Sequence, residues 1–239
     1  MPGSEPELIL SLCNVSAGYH KKRVLYNVGC DVFQGDIVAI LGANGSGKST
    51  LFKAILGLVD HIEGNILFRN ENIRGKAQHR TIHKGISYLP QDRNVFTSLS
   101  VQENLRLAGF GAKDHTQFQS EILELFPEIK SAMIKRVGLL SGGERQTLAV
   151  AMALIRKPML VMLDEPSAGL SPRLAKRVMD IIKELNRKHC VSFLIIEQNI
   201  KAVLDIATKV LVMKNGGLKE KHDFGNLLLQ ENLKEIFFS

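Results

Sequence analysis

Ile37 to Leu41 reads IVAIL, an apolar run without a polar break, and it leads directly into the glycine-rich segment Gly42 to Thr50, GANGSGKST. A continuous apolar run of that length suits a strand buried on both faces, the kind found in a parallel sheet covered by helices. The glycines of the following loop let the backbone curl with its N–H groups inward, where ordinary side chains would block a phosphate. A helix is expected from Lys48 to Leu58, stopping where Gly57 to Asp60 break the pattern. This strand, loop and helix limit the chain to α/β folds that cradle a polyphosphate on backbone amides. Gly42, Asn44, Gly45, Ser46, Gly47 and Thr50 are candidate contacts, Lys48 is placed to bridge β- and γ-phosphates, and Ser49 to ligate Mg2+ through its hydroxyl.

Two further constellations lie downstream. Leu140 to Gln146, LSGGERQ, introduces a helix expected from Gly142 to Arg156. Ser141, Gly142 and Gly143 present bare N–H groups at the positive end of that helix and so form a second anion cradle. A plain N-cap by Ser141 is equally good local physics. One chain with two cradles suggests that each polyphosphate is held between two copies. Farther on, an apolar strand expected at Met159 to Leu163 ends in Asp164-Glu165. An acid at the tip of a buried strand, opposite a hydroxyl Mg2+ ligand, reads as a metal-organising carboxylate, which assigns Asp164.

The remaining pattern frames these motifs. Short apolar alternations from Leu8 to Phe33, broken at Gly18 to Arg23, read as antiparallel strands and a turn. Ile62 to Arg69 and Ile86 to Leu89 add strands, with a polar connection at Asn70 to Lys84. Val101 to Ala108 and Phe118 to Phe126 show helical spacing, so the stretch from about Val95 reads as an inserted helical subdomain. Alternation then returns: helix Pro172 to His189, strand Val191 to Ile196, helix Ile200 to Ala207 and strand Lys209 to Met213. Strands separated by helices imply a mainly parallel sheet, whose ligands sit at the carboxyl ends of the strands, where the motifs fall. Asn226 to Ser239 reads as one or two short amphipathic helices.

Composition narrows the function class. With 45% hydrophobic and 23% charged residues the chain is a packed globule rather than a disordered one. Its longest apolar stretch, Leu148 to Ile155, is far short of the roughly 20 residues that span a bilayer, so a membrane role has to come from a partner. Acidic residues and prolines in MPGSEPELILSL run against a secretion signal. Cys13, Cys30 and Cys190 are odd in number and lack a C-x-x-C spacing, which points to buried thiols in a reducing cytosol rather than disulfides or zinc. The net charge of +7 suits a polyphosphate ligand, an anionic membrane surface or a solvated face. Scattered cations and 6% aromatic content argue against nucleic acid.

GANGSGKST, LSGGERQ and the Asp164-Glu165 strand end together resemble the ATP-binding cassette subunit of an ABC transporter, over essentially all 239 residues. The resemblance implies a single domain spanning 1–239: an α/β P-loop NTPase cassette with a mainly parallel RecA-like sheet, an antiparallel β subdomain, and an α-helical subdomain inserted at about 95–156. ATP and Mg2+ are the implied cofactors. A second cassette, identical or a sister chain, pairs head to tail so that LSGGERQ of one faces the phosphate loop of the other across two ATP molecules. Hydrolysis then moves integral membrane permease subunits, and indirectly serves a solute-binding protein, from the cytoplasmic face of the plasma membrane, where the cassette is peripheral.

Carried over residue by residue, the resemblance makes Glu165 the general base for the attacking water. Gln91, in YLPQDRNVF, is the amide that touches Mg2+ or the water when the site closes. Tyr19, in GYHKKRVL, is the ring set against adenine, an ordinary half-buried strand residue being the other reading. Ser167 to Ser171 matches the loop that crosses between cassettes. The helical insert and the groove beside Gln91 are the implied permease docking surface, with Arg93 part of it. Most such cassettes place a histidine after the strand FLIIEQN; Gln198 stands there instead, able to orient the γ-phosphate and water without adding charge. Hydrolysis with a weakened switch is therefore expected over nucleotide clamping with little turnover. The EQN segment, PQDRNVFTSLSVQENL, ELFPEI and LDEPSAGLSP resemble the ATPases of branched-chain amino acid importers and their urea-importer relatives. The implied cargo is a branched-chain amino acid, with urea or another small polar solute as the alternative.

Overall fold

A computed structural model describes residues 6–92, 94–111 and 116–221. Among them the strands are β1 (Leu8–Tyr19), β2 (Lys22–Phe33), β3 (Ile37–Leu41), β4 (His61–Phe68), β5 (Glu71–Asn72), β6 (Ile86–Leu89), β7 (Leu160–Asp164), β8 (Ser192–Ile196), β9 (Lys209–Lys214) and β10 (Gly217–Lys221). The helices are α1 (Lys48–Ile55), α2 (Gln78–His83), α3 (Val101–Gly109), α4 (Thr116–Leu125), α5 (Pro127–Ser131), α6 (Gly142–Leu154), α7 (Pro172–His189) and α8 (Ile200–Leu204).

Every residue of β3, β7 and β8 is buried, as expected for strands covered on both faces. They form the centre of a sheet ordered β10-β9-β3-β8-β7-β6, parallel throughout except for the β9–β10 hairpin. A second sheet, β2-β1-β4-β5, is antiparallel. Side chains alternate across a strand, and β3 shows what that does here. Ile37, Ala39 and Leu41 join the core shared with α6 and α7, whereas Val38 and Ile40 join the core shared with α1 and the antiparallel sheet. The central sheet is therefore a middle layer, and the phosphate loop leaves it at the carboxyl end of β3.

Helix α7 shows the same sequence logic at the other period. Val178, Met179, Ile182 and Leu185 are buried at three- and four-residue spacing, while Arg, Lys and Glu face out. Pro172 occupies its first turn and Ser171 caps it by accepting from the Leu174 N–H. Between β6 and β7 lie α3 to α6, and Phe118, Ile122, Phe126 and Ile129 continue the core that contains α6 and α7. Arg177 of α7 ties this region down by donating to the Leu125 carbonyl and pairing with Glu128, and Glu121 receives Lys188 and His189.

Several expectations shift. Helix α1 stops at Ile55 rather than Leu58, because Leu56 caps it and Gly57 adopts a φ of +70°. The polar connection expected at Asn70 to Lys84 holds β5 and α2, and the charged strand β10 was not anticipated. The cysteines also depart from the buried reading: Cys13 and Cys190 are exposed. An irregular register between Leu12 and Val15 turns Cys13 outward, and Cys190 sits at the left-handed cap of α7. Cys30 is only partly exposed, and burial pushes its thiol up to about 12. Arg93 and Asn226 to Ser239 lie outside the described residues.

The β9–β10 turn, Asn215-Gly216, fastens the two sheets together. Gly216 donates its N–H to the Ser46 carbonyl in the phosphate loop and accepts from the Tyr26 N–H on β2, each at 2.9 Å. Its φ is +76°, and a Cβ there would lie 1.9 Å from the Val24 carbonyl oxygen. Gly35 shares the left-handed backbone, at φ +82°, but has open space around it. Gly35→Ala is therefore expected to cost about 1–2 kcal/mol, the left-handed penalty alone. Gly216→Ala should cost about 3 kcal/mol or more, since the backbone must also move. Urea unfolding of the two variants checks the difference; equal losses would contradict it.

Candidate functional site

The carboxyl ends of β3, β7 and β8 and the turn after β6 converge on one cleft of about 320 Å³. Asn44, Gly45, Gly47, Lys48, Ser49 and Thr50 line it from the phosphate loop and α1, and Gln91, Glu165 and Gln198 from the opposite side. Residues scattered over more than 150 positions of sequence, from Asn44 to Gln198, are thus brought together as the motif reading expected.

Lys48 is 6% exposed and its Nζ donates to the carbonyls of Gly42 and Ala43 at 2.8 and 2.9 Å. Burial lowers its pKa, an effect opposed by Glu165 and Asp164 nearby. Asp164, at the tip of β7, is 2% exposed. Burial raises its pKa, and a hydrogen bond from Ser49 pulls the other way. Its Oδ1 is buried without a hydrogen-bond partner, as is the Ser46 hydroxyl of the phosphate loop. An orphaned carboxylate oxygen beside a serine hydroxyl is a pair of hard donors, and that chemistry fits a small divalent cation.

Glu165 adopts a φ of +55°, a conformation that non-glycine residues rarely hold without support. Its N–H donates to the Ile196 carbonyl at 2.8 Å. Its carboxylate lies between two amides: Gln198 Nε2 donates to Oε1 at 2.7 Å and Gln91 Nε2 to Oε2 at 2.9 Å. Gln91 and Gln198 therefore each touch Glu165, which stands between them. Such a carboxylate is pre-aimed, and can take a proton from a water that enters between it and a bound phosphate.

Ser141 caps α6 in a capping box: its hydroxyl accepts from the Glu144 N–H at 3.2 Å and its own N–H donates to the Glu144 carboxylate at 2.7 Å. Space around Gly142 is open on the side where a Cβ would project. The Ser141 turn is not among the residues lining the cleft around Lys48. Tyr19, the last residue of β1, does not line the cleft either; its hydroxyl is buried, and Val24 of β2 forms that wall.

Two contributors escaped the sequence reading. Gln146, the last residue of LSGGERQ, donates its amide to the Pro166 carbonyl at 3.1 Å and the Glu165 carbonyl at 3.4 Å, and accepts from Asn94 at 3.1 Å. Glu197 is 3% exposed and receives the N–H groups of Ser167, Gln198 and Asn199. Its signal was legible: a charged residue directly after the apolar strand FLII.

The ABC transporter family model matches residues 25–168. BraG of Pseudomonas aeruginosa, a high-affinity branched-chain amino acid transport ATP-binding protein, is 40% identical over 223 residues, covering 92% of this chain and 95% of its own. LptB of Haemophilus influenzae, a lipopolysaccharide export system ATP-binding protein, is 32% identical over 233 residues, covering 96% of each. The crystal structure of the ADP conformation of an ATP-binding cassette of an ABC transporter superposes with a TM-score of 0.81 at 29% identity, covering 96% of this chain and 98% of that one.

The Lys48 contacts generate a test. An ammonium that rests on two carbonyls is held in the loop, ready to turn to phosphate oxygens. Lys48→Ala is expected to weaken ATP binding by about 10- to 100-fold, the worth of a charge-assisted hydrogen bond. Lys48→Arg is not expected to rescue it, because a planar guanidinium does not fit a buried point-charge position. Titration with a fluorescent ATP analogue reads both; parental affinity in either variant would contradict the assignment.

Proposed function

Because the chain belongs to the ABC transporter family and is an ATP-binding, ATP-hydrolysing subunit of such a transporter, we propose that two such cassettes enclose MgATP head to tail and drive uptake of branched-chain amino acids through a membrane permease. The observation that carries the enclosed-dimer reading is the position of the Ser141 turn. It opens α6 with N–H groups at a positive helix end, yet it stands away from the cleft that holds Lys48 and Glu165. A second copy brings such a turn to each cleft, and completes it.

In this reading Lys48 leaves the Gly42 and Ala43 carbonyls for the β- and γ-phosphates, while the phosphate-loop amides wrap the rest. Ser49 and Asp164 hold Mg2+, joined by Gln91, and the ion supplies charge neutralisation on the phosphates when bound. Glu165 accepts the proton of the attacking water as its oxygen bonds to the γ-phosphorus and the bond to the β–γ bridging oxygen breaks. Gln198 fixes the orientation of Glu165 and lacks the option of a positive charge. Because the reaction depends on placement and electrostatics rather than covalent chemistry, an orienting amide is enough to sustain turnover. That favours hydrolysis over a purely clamping cassette. Tyr19, at the end of β1, is assigned to the adenine end on the resemblance alone.

The cargo rests on likeness: 40% identity to BraG against 32% to LptB, over nearly the same share of the chain. No helix among the described residues is long and apolar enough to cross a membrane, so in this reading a permease carries the solute. Docking is assigned to the helical subdomain, about 95–156, where Phe96, Leu107 and Phe110 are 56%, 50% and 80% exposed. Apolar side chains that exposed suit a hydrophobic coupling helix.

Glu165→Gln should lower steady-state hydrolysis by about 100-fold or more, as loss of a general base does, while MgATP affinity stays at the parental level. The same variant saturated with MgATP should elute as a dimer in size exclusion with light scattering. A strictly monomeric protein, alone and with the permease, would sink the enclosed-dimer reading. Phe96→Asp should uncouple leucine uptake in reconstituted vesicles while ATP binding persists; unimpaired uptake would remove that face from the docking surface.

A further inference from the structure

Glu197 follows β8 directly, and its side chain is 3% exposed. A buried carboxylate is unfavourable unless its oxygens are hydrogen-bonded, and here the donors are backbone groups from two separate segments. Oε1 accepts from the Ser167 N–H at 2.8 Å; Oε2 accepts from the N–H groups of Gln198 and Asn199 at 3.0 and 3.2 Å. Both segments bear on the reaction. Ser167 lies two residues beyond Glu165 and opens the Ser167 to Ser171 loop. Gln198 holds Glu165 Oε1 through its side-chain amide at 2.7 Å.

These contacts close a ring. From the Glu165 carboxylate it passes through the Gln198 amide to the Gln198 backbone, then through Glu197 to the Ser167 N–H and back along the chain to Glu165. Glu165 sits in the ring at a φ of +55°, and that backbone is secured on both sides: its own N–H binds the Ile196 carbonyl, and the turn after it is pinned by Glu197.

We propose that Glu197 is a positioning residue for ATP hydrolysis, whose buried carboxylate locks the Glu165 turn to the Gln198 backbone and thereby sets where the Glu165 carboxylate stands. The proposal rests on the assignment of Glu165 as the base. A carboxylate suits the task because both oxygens only accept. Glutamine has the same shape but keeps one acceptor, and turns its NH2 toward the N–H groups of one segment. Aspartate keeps the charge but is one methylene shorter, and reaches one segment rather than both. Either change loosens the ring without touching the phosphate loop.

Steady-state hydrolysis by the full 239-residue chain, with binding of a fluorescent ATP analogue and thermal melting in parallel, tests this. Glu197→Gln is expected to lower kcat by about 10- to 100-fold, the effect of misplacing a reacting group by a fraction of an ångström to an ångström. KM and nucleotide affinity should stay within about twofold of parental, since uniform binding is untouched. Glu197→Asp should show the same split and serves if the glutamine variant fails to fold. Combined with Gln198→Ala, Glu197→Gln should add much less than its single effect, because both act on one carboxylate. Parental kcat in both Glu197 variants, a loss shared equally by kcat and affinity, or full additivity with Gln198→Ala would each overturn the proposal. Failure of the underlying assignment reads differently: Glu165→Gln would then hydrolyse ATP at the parental rate. Inactive Glu165→Gln alongside fully active Glu197 variants would leave the base in place and remove the positioning role.

Discussion

The register between β7 and β8 is the constraint on which the site depends. Leu163 stands opposite Ile195 and Asp164 opposite Ile196, so both strands end at the same level and release their next residues side by side. The Glu165 N–H then finds the Ile196 carbonyl, and the Glu165 carboxylate finds the Gln198 amide. A slip of one residue would turn every side chain of a strand to the opposite face, moving Asp164 away from Ser49. What prevents it is burial on both faces. Val161, Leu163, Phe193 and Ile195 enter one core, and Leu160, Met162, Leu194 and Ile196 the other. The hydrophobic layers that make the fold stable are thus also what aligns the polar groups at its edge.

Those polar groups are arranged so that the site is satisfied in part without nucleotide. Lys48 rests on two loop carbonyls, and Glu165 on two amides. Asp164 is different: it keeps one buried oxygen without a partner, and burial raises its pKa while it lowers that of Lys48. Both shifts say that the charged forms are held in a place poor in solvent. A polyphosphate with its counter-ion removes that mismatch, since each charge then gains a partner of opposite sign.

The sequence carried the core of this architecture because its strongest signals are local. Unbroken apolar runs mark β3, β7 and β8, a 3.6-residue stripe marks α7, and Pro172 after Ser171 marks where that helix starts. The phosphate loop, Asp164, Glu165, Gln91 and Gln198 were readable from motif and resemblance; the structure gathers the loop, Glu165, Gln91 and Gln198 around one cleft and buries Asp164 beside Ser49. What stayed hidden depends on neighbours distant in sequence. The strand β10 is charged and has no apolar run; it exists because β9 offers it an edge and Asn215-Gly216 make the turn. Cys13 looked buried by residue type, but the irregular register of β1 turns it out. Gln146 and Glu197 act through backbone groups, so their partners leave no trace in side-chain spacing, although a charge directly after the apolar strand FLII marks Glu197 itself.

Gln146 brings the two halves of the chain's work into contact. It lies one helical turn beyond the Ser141 cradle on α6, and its amide rests on the carbonyls of Pro166 and Glu165. In the proposed dimer the cradle serves the nucleotide of the neighbouring cassette, while Glu165 serves its own. A rigid helix joins them, so the group that senses one triphosphate is a turn of helix away from the group that hydrolyses the other. Asn94 adds the segment after Gln91 to the same junction through Gln146 Oε1. Any coupling of nucleotide affinity that runs through this junction is reciprocal between the two clefts. Between those ends stands Glu197, which fixes the turn on its far side, so the base sits between a tie to α6 and a tie to β8. The aim of the Glu165 carboxylate is therefore set by contacts on both sides of its turn.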